Sequence, residues 1–404
     1  MPRVRSDFLE IGKTGLNWSA GYIYDEFLSA LRGKRGVRTY REMKDNDAIV
    51  GSVLFAITQI LREAKWDVQV PDGGKEEDAE FLRSNMTGMT HSWMDFYTET
   101  LSMLPYGWSW FEQVYYRRPD NKIGWKKMAP RKQISMEKWE MSPVGETLGM
   151  WQRPPPDYQL YYLPIEKSLH FRTEPNGNNP EGRSIMRSAF RPWFFKKNIE
   201  EIEGIGIERD LTGLPVLKLP EGLNPNSDDT NIQVQITAAK RLISNVRRDE
   251  QDGIILPFGW EFDLLASKGT RQFDTSTIVN RFNKEIAVTV LAQFVMLGME
   301  RTGSYALAKE QTDMFYQCLE GWIDVFMTTV NRHAVSKLFL LNGVIDRPLP
   351  YVVHTPIRRF NLKDLADYVA KLGGDKVNAL DIDADVKSFL ARYARLKEYS
   401  EVRK

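Results

Sequence analysis

The spacing of apolar residues changes several times along the chain, and each change marks an element. After Asp47, which is placed as an N-cap, Ile49, Val53, Ile57 and Ile60 recur at helical spacing. KWDVQV then alternates as a strand does, and Pro71-Asp72-Gly73-Gly74 forms the turn that ends it. KEEDAEFLRSNM and SWMDFYTETLSMLPYG predict two helices. From WSWFEQVYYRR to KSLHFRTE, short segments broken by Pro and Gly predict a small antiparallel sheet. Up to residue 180 the pattern is that of an α+β lobe. Residues 1–36 are polar and dotted with Gly, apart from YIYDEFLSALRG, and predict an arm ordered only where a neighbour holds it.

Beyond residue 180 the elements lengthen. From Gly182 to Asp210, Met186, Phe190, Trp193, Phe194, Ile202 and Ile205 keep roughly to one side of a helix. Its charges are sorted: Arg183, Arg187, Arg191, Lys196 and Lys197 precede Glu200, Glu201, Glu203, Glu208 and Asp210. A helix dipole favours the opposite order, so this one is either a solvated helix with uncorrelated charges or one matched by charges alongside it. LPVLKLPEG reads as a strand, LNPNSDDTN as a loop and ITAAKRLISNVRRDE as a basic amphipathic helix. DGIILPFGWEFDLLA reads as a strand pair turning at Pro257-Phe258-Gly259, and FDTSTIVNRFNKEIAVTVLAQF as a helix. A long helix from Ser304 to Leu341, broken at most mildly by Gly321, is capped by Asn342-Gly343. RPLPYVVHTPI predicts a strand, and the remainder a helical tail.

Composition narrows the function by exclusion. The 404 residues carry a net charge of +1, so any contact with nucleic acid must be local. A single cysteine, Cys318, rules out an internal disulfide framework and reads as a space-filling helix residue. No uninterrupted apolar run reaches bilayer length, and a soluble intracellular product with no membrane partner is expected. GKTG at residues 12–15 lacks the glycine that a phosphate loop needs five positions earlier, where Asp7 stands. His91, His170, His333 and His354 fall in separate elements with no metal-ligand spacing. Asp381, Asp383 and Asp385 lack the Gly and Glu of a calcium loop and read as a helix N-terminus. Nothing points to catalysis, a metal or a cofactor.

The order of elements resembles the portal proteins of tailed double-stranded DNA bacteriophages. DNDAIVGSVLFAITQILREAKWDV looks like the wing helix and strand, and LPYGWSWFEQVY like the aromatic turn entering a wing strand. FFKKNIEEIEGIGIERDLTGLPVLKLP is similar to a stem running into a clip, and GIILPFGWEFDLL to the returning clip strand. ALAKEQTDMFYQCLEGWIDVFMTTVNRHAVSKLFLLNG resembles the long helix that follows the tunnel loop. The likeness covers about residues 37–360. It implies an α+β portal fold in this order: arm 1–36, wing 37–181, stem helix 182–213, clip 214–266, second stem helix 267–292, tunnel loop 293–305, long wing helix 306–343, wing strand 344–357 and helical crown 358–404.

The resemblance also implies a non-enzymatic, dodecameric ring at one capsid vertex of the virion, assembled in the host cytoplasm. Duplex DNA would pass through its channel during packaging and ejection. The terminase large subunit, which hydrolyses the ATP, the major capsid protein and a head-tail adaptor would be its partners, and the ring would nucleate procapsid assembly. Arg191, Lys196, Lys197, Glu200, Glu201, Glu203 and Glu208 would then pair between neighbouring stems. Phe294, Val295, Met296, Leu297, Met299 and Arg301 would form the tunnel loop, although in a lone chain the same apolar run reads as buried core. Lys240, Arg241, Arg247 and Arg248, with Phe258 and Trp260, would be a docking surface in the clip or else a solvated basic face. Two alternatives stand beside this reading. One is another virion structural protein, an adaptor or minor head protein. The other is a nucleic-acid-processing enzyme holding magnesium on Asp381, Asp383 and Asp385 or on Glu200 and Glu203.

Overall fold

A computed structural model describes residues 10, 12–212, 214–220, 223–224, 226, 229–245, 256, 258–265, 274–289 and 305–357. Contacts divide the chain into two units, residues 1–190 with 286–404, and residues 191–285.

In the first unit, α1 (Gly33–Asn46) and α2 (Ala48–Leu61) meet at Asp47. The Asp47 carboxylate accepts the Ile49 and Val50 amides at 3.0 and 3.1 Å, the cap expected from the sequence. After β3 (Trp66–Gln69) come α3 (Glu76–Thr87), α4 (Trp93–Thr100) and α5 (Met103–Tyr106). Ser92 and Asp95 form a capping box on α4, and Gly107 ends α5 at a φ of 89°, where a Cβ would strike the Glu181 carbonyl. Two three-stranded antiparallel sheets follow. One has the order β5-β4-β9, from β4 (Trp108–Arg117), β5 (Ile123–Arg131) and β9 (Ser168–Arg172). The other has the order β6-β7-β8, from β6 (Met136–Met141), β7 (Thr147–Gln152) and β8 (Tyr161–Pro164). The chain returns through α9 (Tyr305–Thr329), a π turn (Val330–Val335) and α10 (Ser336–Leu341) to β12 (Tyr351–His354), which pairs with β3.

Strand β4 explains why there are two cores. Alternate side chains of a strand point to opposite faces. Phe111 joins a large core with α2, α3, α4 and α9, whereas Trp108 and Trp110 join a smaller one with Met136, Trp139, Met150 and Leu163. Phe326 of α9 centres the larger core, with Trp66, Trp93, Phe96, Tyr97 and Phe171 rings 4.9–5.9 Å away. Exposed strand edges are closed by asparagines. Asn342 accepts the Ile123 amide at 2.8 Å and donates to its carbonyl at 2.9 Å. Asn331, carried on the π turn, does the same for Val352 of β12, and Asn85 accepts the Trp125 amide. A side-chain amide thus stands in for a missing neighbour strand.

Two expectations need correction. The described part of the arm is held by its own chain. A two-residue hairpin, β1 (Trp18–Ser19) with β2 (Tyr22–Ile23), lies beside β6, where the Trp139 amide donates to the Gly21 carbonyl at 2.9 Å. Leu16, Trp18 and Ile23 complete the smaller core, and α1 already begins at Gly33. The long returning helix passes Gly321 without a break, in keeping with its spacing, and its one irregularity among the described residues is the π turn, nine residues later. The helix expected from residue 182 begins at Phe190 as α6 (Phe190–Thr212). Ahead of it, Gly182 has a φ of 55°, and the Ser184 hydroxyl donates to the Pro105 carbonyl while accepting the Met186 amide. A start at residue 190 leaves Pro192 in the first turn, where its missing N–H costs nothing.

The second unit contains most of α6, then β10 (Leu214–Lys218), α7 (Thr230–Asn245), β11 (Glu261–Leu265) and the greater part of α8 (Thr275–Thr289). β10 and β11 pair antiparallel, although α7 lies between them in sequence.

Candidate interaction surfaces

α6 and α8 lie antiparallel. The Phe195 ring stacks on Phe282 at 6.4 Å, and nearer the other end of α6 Glu203 accepts from the Thr275 hydroxyl at 2.5 Å. The side chains of α6 are arranged contrary to an ordinary amphipathic helix. Lys196 is only 4% exposed, whereas Phe194 is 45%, Ile202 69% and Ile205 50% exposed. At 100° per residue these three apolar positions fall within about an 80° arc. Lys196 and Glu203 lie on the opposite side.

The sorted charges find partners within the helix. Lys196 approaches Glu200 at 3.9 Å and Lys197 approaches Glu201 at 3.8 Å, each one turn along. Arg191 lies over the Phe195 ring and Lys197 over Trp193. Blocks of bases followed by acids therefore bring opposite charges together at the i,i+4 spacing. Glu200, Glu201 and Arg191 still reach the surface, while Glu203 is half-buried. Glu208 lies in the helix, and its side chain is outside the described residues.

On α7, Ile236 and Ala239 are buried and Lys240 and Arg241 exposed, so this helix is amphipathic as its spacing predicts. Phe258 is fully exposed at the turn before β11, and Trp260 is half-buried. Arg247, Arg248, Phe294, Val295, Met296, Leu297, Met299 and Arg301 lie outside the described residues, as do Asp381, Asp383 and Asp385. Among the described residues no group of three His, Cys, Asp or Glu side chains could hold a metal ion. Glu200 and Glu203, the other proposed metal ligands, face Lys196 and Thr275.

Three features were not found from sequence. Arg187 and Glu26 form a two-pronged ion pair, Nη2 to Oε1 at 2.9 Å with a second contact from Nε to Oε2, which ties the arm to the segment before α6. His170 sits among the rings of Trp108, Trp110 and Trp139 and donates from Nε2 to the Pro180 carbonyl at 2.8 Å. Burial, with Arg172 nearby, lowers its pKa to about 3. Next to it in the fold, Glu181 accepts from the Trp139 indole at 3.3 Å and from the Gly33 amide, yet burial raises its carboxyl to about 7. Cys318 is a half-buried free thiol on α9, in a groove of about 530 Å³ with Phe315, Gly321 and Trp322. No helix of the described residues is long and apolar enough to cross a membrane.

A family profile described as the portal protein of Mu bacteriophage matches residues 37–388. Among solved structures, one chain from the neck of an empty gene transfer agent particle, computed with C6 symmetry, aligns with a TM-score of 0.52 at 12% identity, covering 87% of this chain and 92% of that one. A chain from the neck of the native particle, computed with C12 symmetry, aligns at 0.50 and 12% identity, with the same coverage. A chain from the virion of the native particle gives 0.50 and 12%, covering 88% and 92%. At such identity these structures establish a shared fold.

Proposed function

The chain belongs to the family of the Mu bacteriophage portal protein, a structural rather than an enzymatic family, and from that premise we propose that it forms the portal ring of a virus-like particle. Residues 37–181 with 306–357 make the wing, α6 and α8 the stem, residues 214–266 the clip, and the tail from residue 358 the crown. The ring is a dodecamer at one capsid vertex, conducting duplex DNA inward during packaging and outward during ejection. It nucleates assembly of the procapsid in the host cytoplasm. The fold shared with a C12-symmetric particle neck supports this reading.

One observation carries the proposal: α6 buries Lys196 and leaves Phe194, Ile202 and Ile205 in water. Such a stripe is costly on a monomer, at about 25 cal/mol per Å² of apolar surface that stays wet. A ring removes the cost, because each copy covers its neighbour's stripe through a head-to-tail contact that closes on itself. Arg191 falls within the stripe and Glu201 at its border, and these two, joined by Lys197, Glu200, Glu203 and Glu208, fix the register of neighbouring stems. Phe294, Val295, Met296, Leu297, Met299 and Arg301 face the channel, where pliable apolar side chains let phosphates pass without tight pairing. Lys240, Arg241, Arg247, Arg248, Phe258 and Trp260 receive the terminase during packaging and the adaptor afterwards. Mass measurement of the purified protein across concentration and salt tests the ring. Large closed oligomers that co-assemble with capsid protein are expected, and a chain that stays monomeric throughout overturns the reading.

A further inference from the structure

The first unit carries a row of cations that none of these features uses. Arg35, Arg38, Arg41 and Lys44 stand three residues apart on α1, all exposed, and at 100° per residue they wind half-way round the helix. At the rise of an α-helix the row is about 14 Å long. Arg41 pairs with Asp45 at 3.3 Å, whereas Arg35, Arg38 and Lys44 have no ion pair among the described residues. The row ends at a groove of about 410 Å³, where Arg41 and Lys44 are joined by Arg131 and Lys132. Arg131 is held by Glu112, and Lys132 acts on the exposed Glu99, so Asp45 and Glu99 are the acids that line the groove. Glu42 is the remaining carboxylate on the helix before Asp45. In a chain with a net charge of +1, this is a local excess of positive charge.

The composition of the row selects its partner. No large apolar side chain of α1 is exposed, so the aromatic or aliphatic anchors that protein interfaces concentrate energy on are missing. Three of the four cations are arginines, whose planar forks suit phosphate oxygens. The row spans about four phosphate intervals at the rise of one DNA strand, about 3.4 Å each. We propose that α1, with the Arg131–Lys132 rim, binds the sugar-phosphate backbone of duplex DNA through residues other than those assigned to the stem and tunnel loop. The contact is independent of sequence, because backbone phosphates carry none. It rests on the portal reading only for the presence of duplex DNA beside the protein.

The test uses the full chain and closed duplex circles, which have no ends to thread through a channel. Replacing Arg35→Gln, Arg38→Gln and Lys44→Gln together should raise Kd at least about tenfold at 0.1 M salt, and should flatten the slope of log K against log salt by about 2.7, near 0.9 per lost phosphate contact. Arg35→Lys with Arg38→Lys keeps the charge and should retain most of the salt slope, which separates lost contacts from damage to the fold. Unchanged affinity and slope in the Gln variant overturn the proposal. So does tighter binding of polyglutamate than of DNA at equal salt, since the row would then serve an acidic protein. The oligomer mass is read on the same samples. A normal ring with unchanged DNA affinity removes this inference alone, whereas a monomeric wild type removes the portal reading and leaves the DNA assay to decide this one.

Discussion

Trp139 lies between two proton-binding groups whose preferences oppose each other. His170 is held neutral, because burial lowers its pKa from 6.5 to about 3. Its contribution to stability is therefore complete above pH 6.5 and is lost as the pH falls toward 3. Glu181 is raised from 4.5 to about 7, so its contribution is complete below pH 4.5 and is lost as the pH rises through 7. Between pH 4.5 and 6.5 the two slopes have opposite sign. Glu181→Gln should abolish the alkaline-side loss, leaving urea midpoints that fall only as the pH drops below 6.5. A midpoint that still declines from pH 5 to 7.5 would show that Glu181 is not the group responsible. Asn342 supports a second residue-scale prediction. Asn342→Ala leaves both polar groups of Ile123 without their partner and should cost about 1–3 kcal/mol, measured by urea unfolding. Of these residues, Asn342 was legible as a helix cap, while its bonds to a strand some 220 positions away were not.

At the scale of elements, the sequence reading worked where hydrophobic spacing was long and regular. α2, α3, α7, α8 and the β4–β9 region follow from local pattern because each buries one face of a periodic segment. The start of α6 was misplaced because the helical spacing of Met186 and Phe190 continues through residues that Gly182 and Ser184 turn aside. The π turn left no trace in the spacing, since its purpose is to bring Asn331 to β12. α6 also contains Gly204 and Gly206, where an added Cβ would meet nothing within 4 Å. Glycine inside a helix costs about 1 kcal/mol relative to alanine, and here no described neighbour requires it. Gly204→Ala with Gly206→Ala should raise the thermal midpoint of the unassembled chain. If neighbouring stems of the proposed ring approach at these glycines, the same pair should weaken assembly, because the added Cβ atoms would hold the helices apart. Comparing melting at low concentration with oligomer mass at high concentration checks both halves.

At the scale of the whole molecule, the apolar stripe on α6 is the feature that a single chain does not account for. Ile202→Glu with Ile205→Glu places charge where water already reaches, so the far-ultraviolet circular dichroism and melting of the monomer should change little. Ring formation should be lost, since each interface would then bury uncompensated carboxylates. Rings of normal mass from this variant would remove α6 from the interface. The net charge of +1 gave no hint of the cationic row on α1, because a sum over 404 residues hides a local excess.

The amino-acid sequence by itself determined most of the run of elements, the cap at Asp47, the absence of familiar catalytic motifs and the resemblance to portal proteins. These are properties of neighbouring residues, fixed by period, turn chemistry and composition. Only the tertiary structure decided that the arm packs on its own chain, that Lys196 is buried while Ile202 is wet, and that His170 and Glu181 flank one tryptophan. Burial and pairing depend on which distant segments the fold brings together, and local spacing carries no record of that.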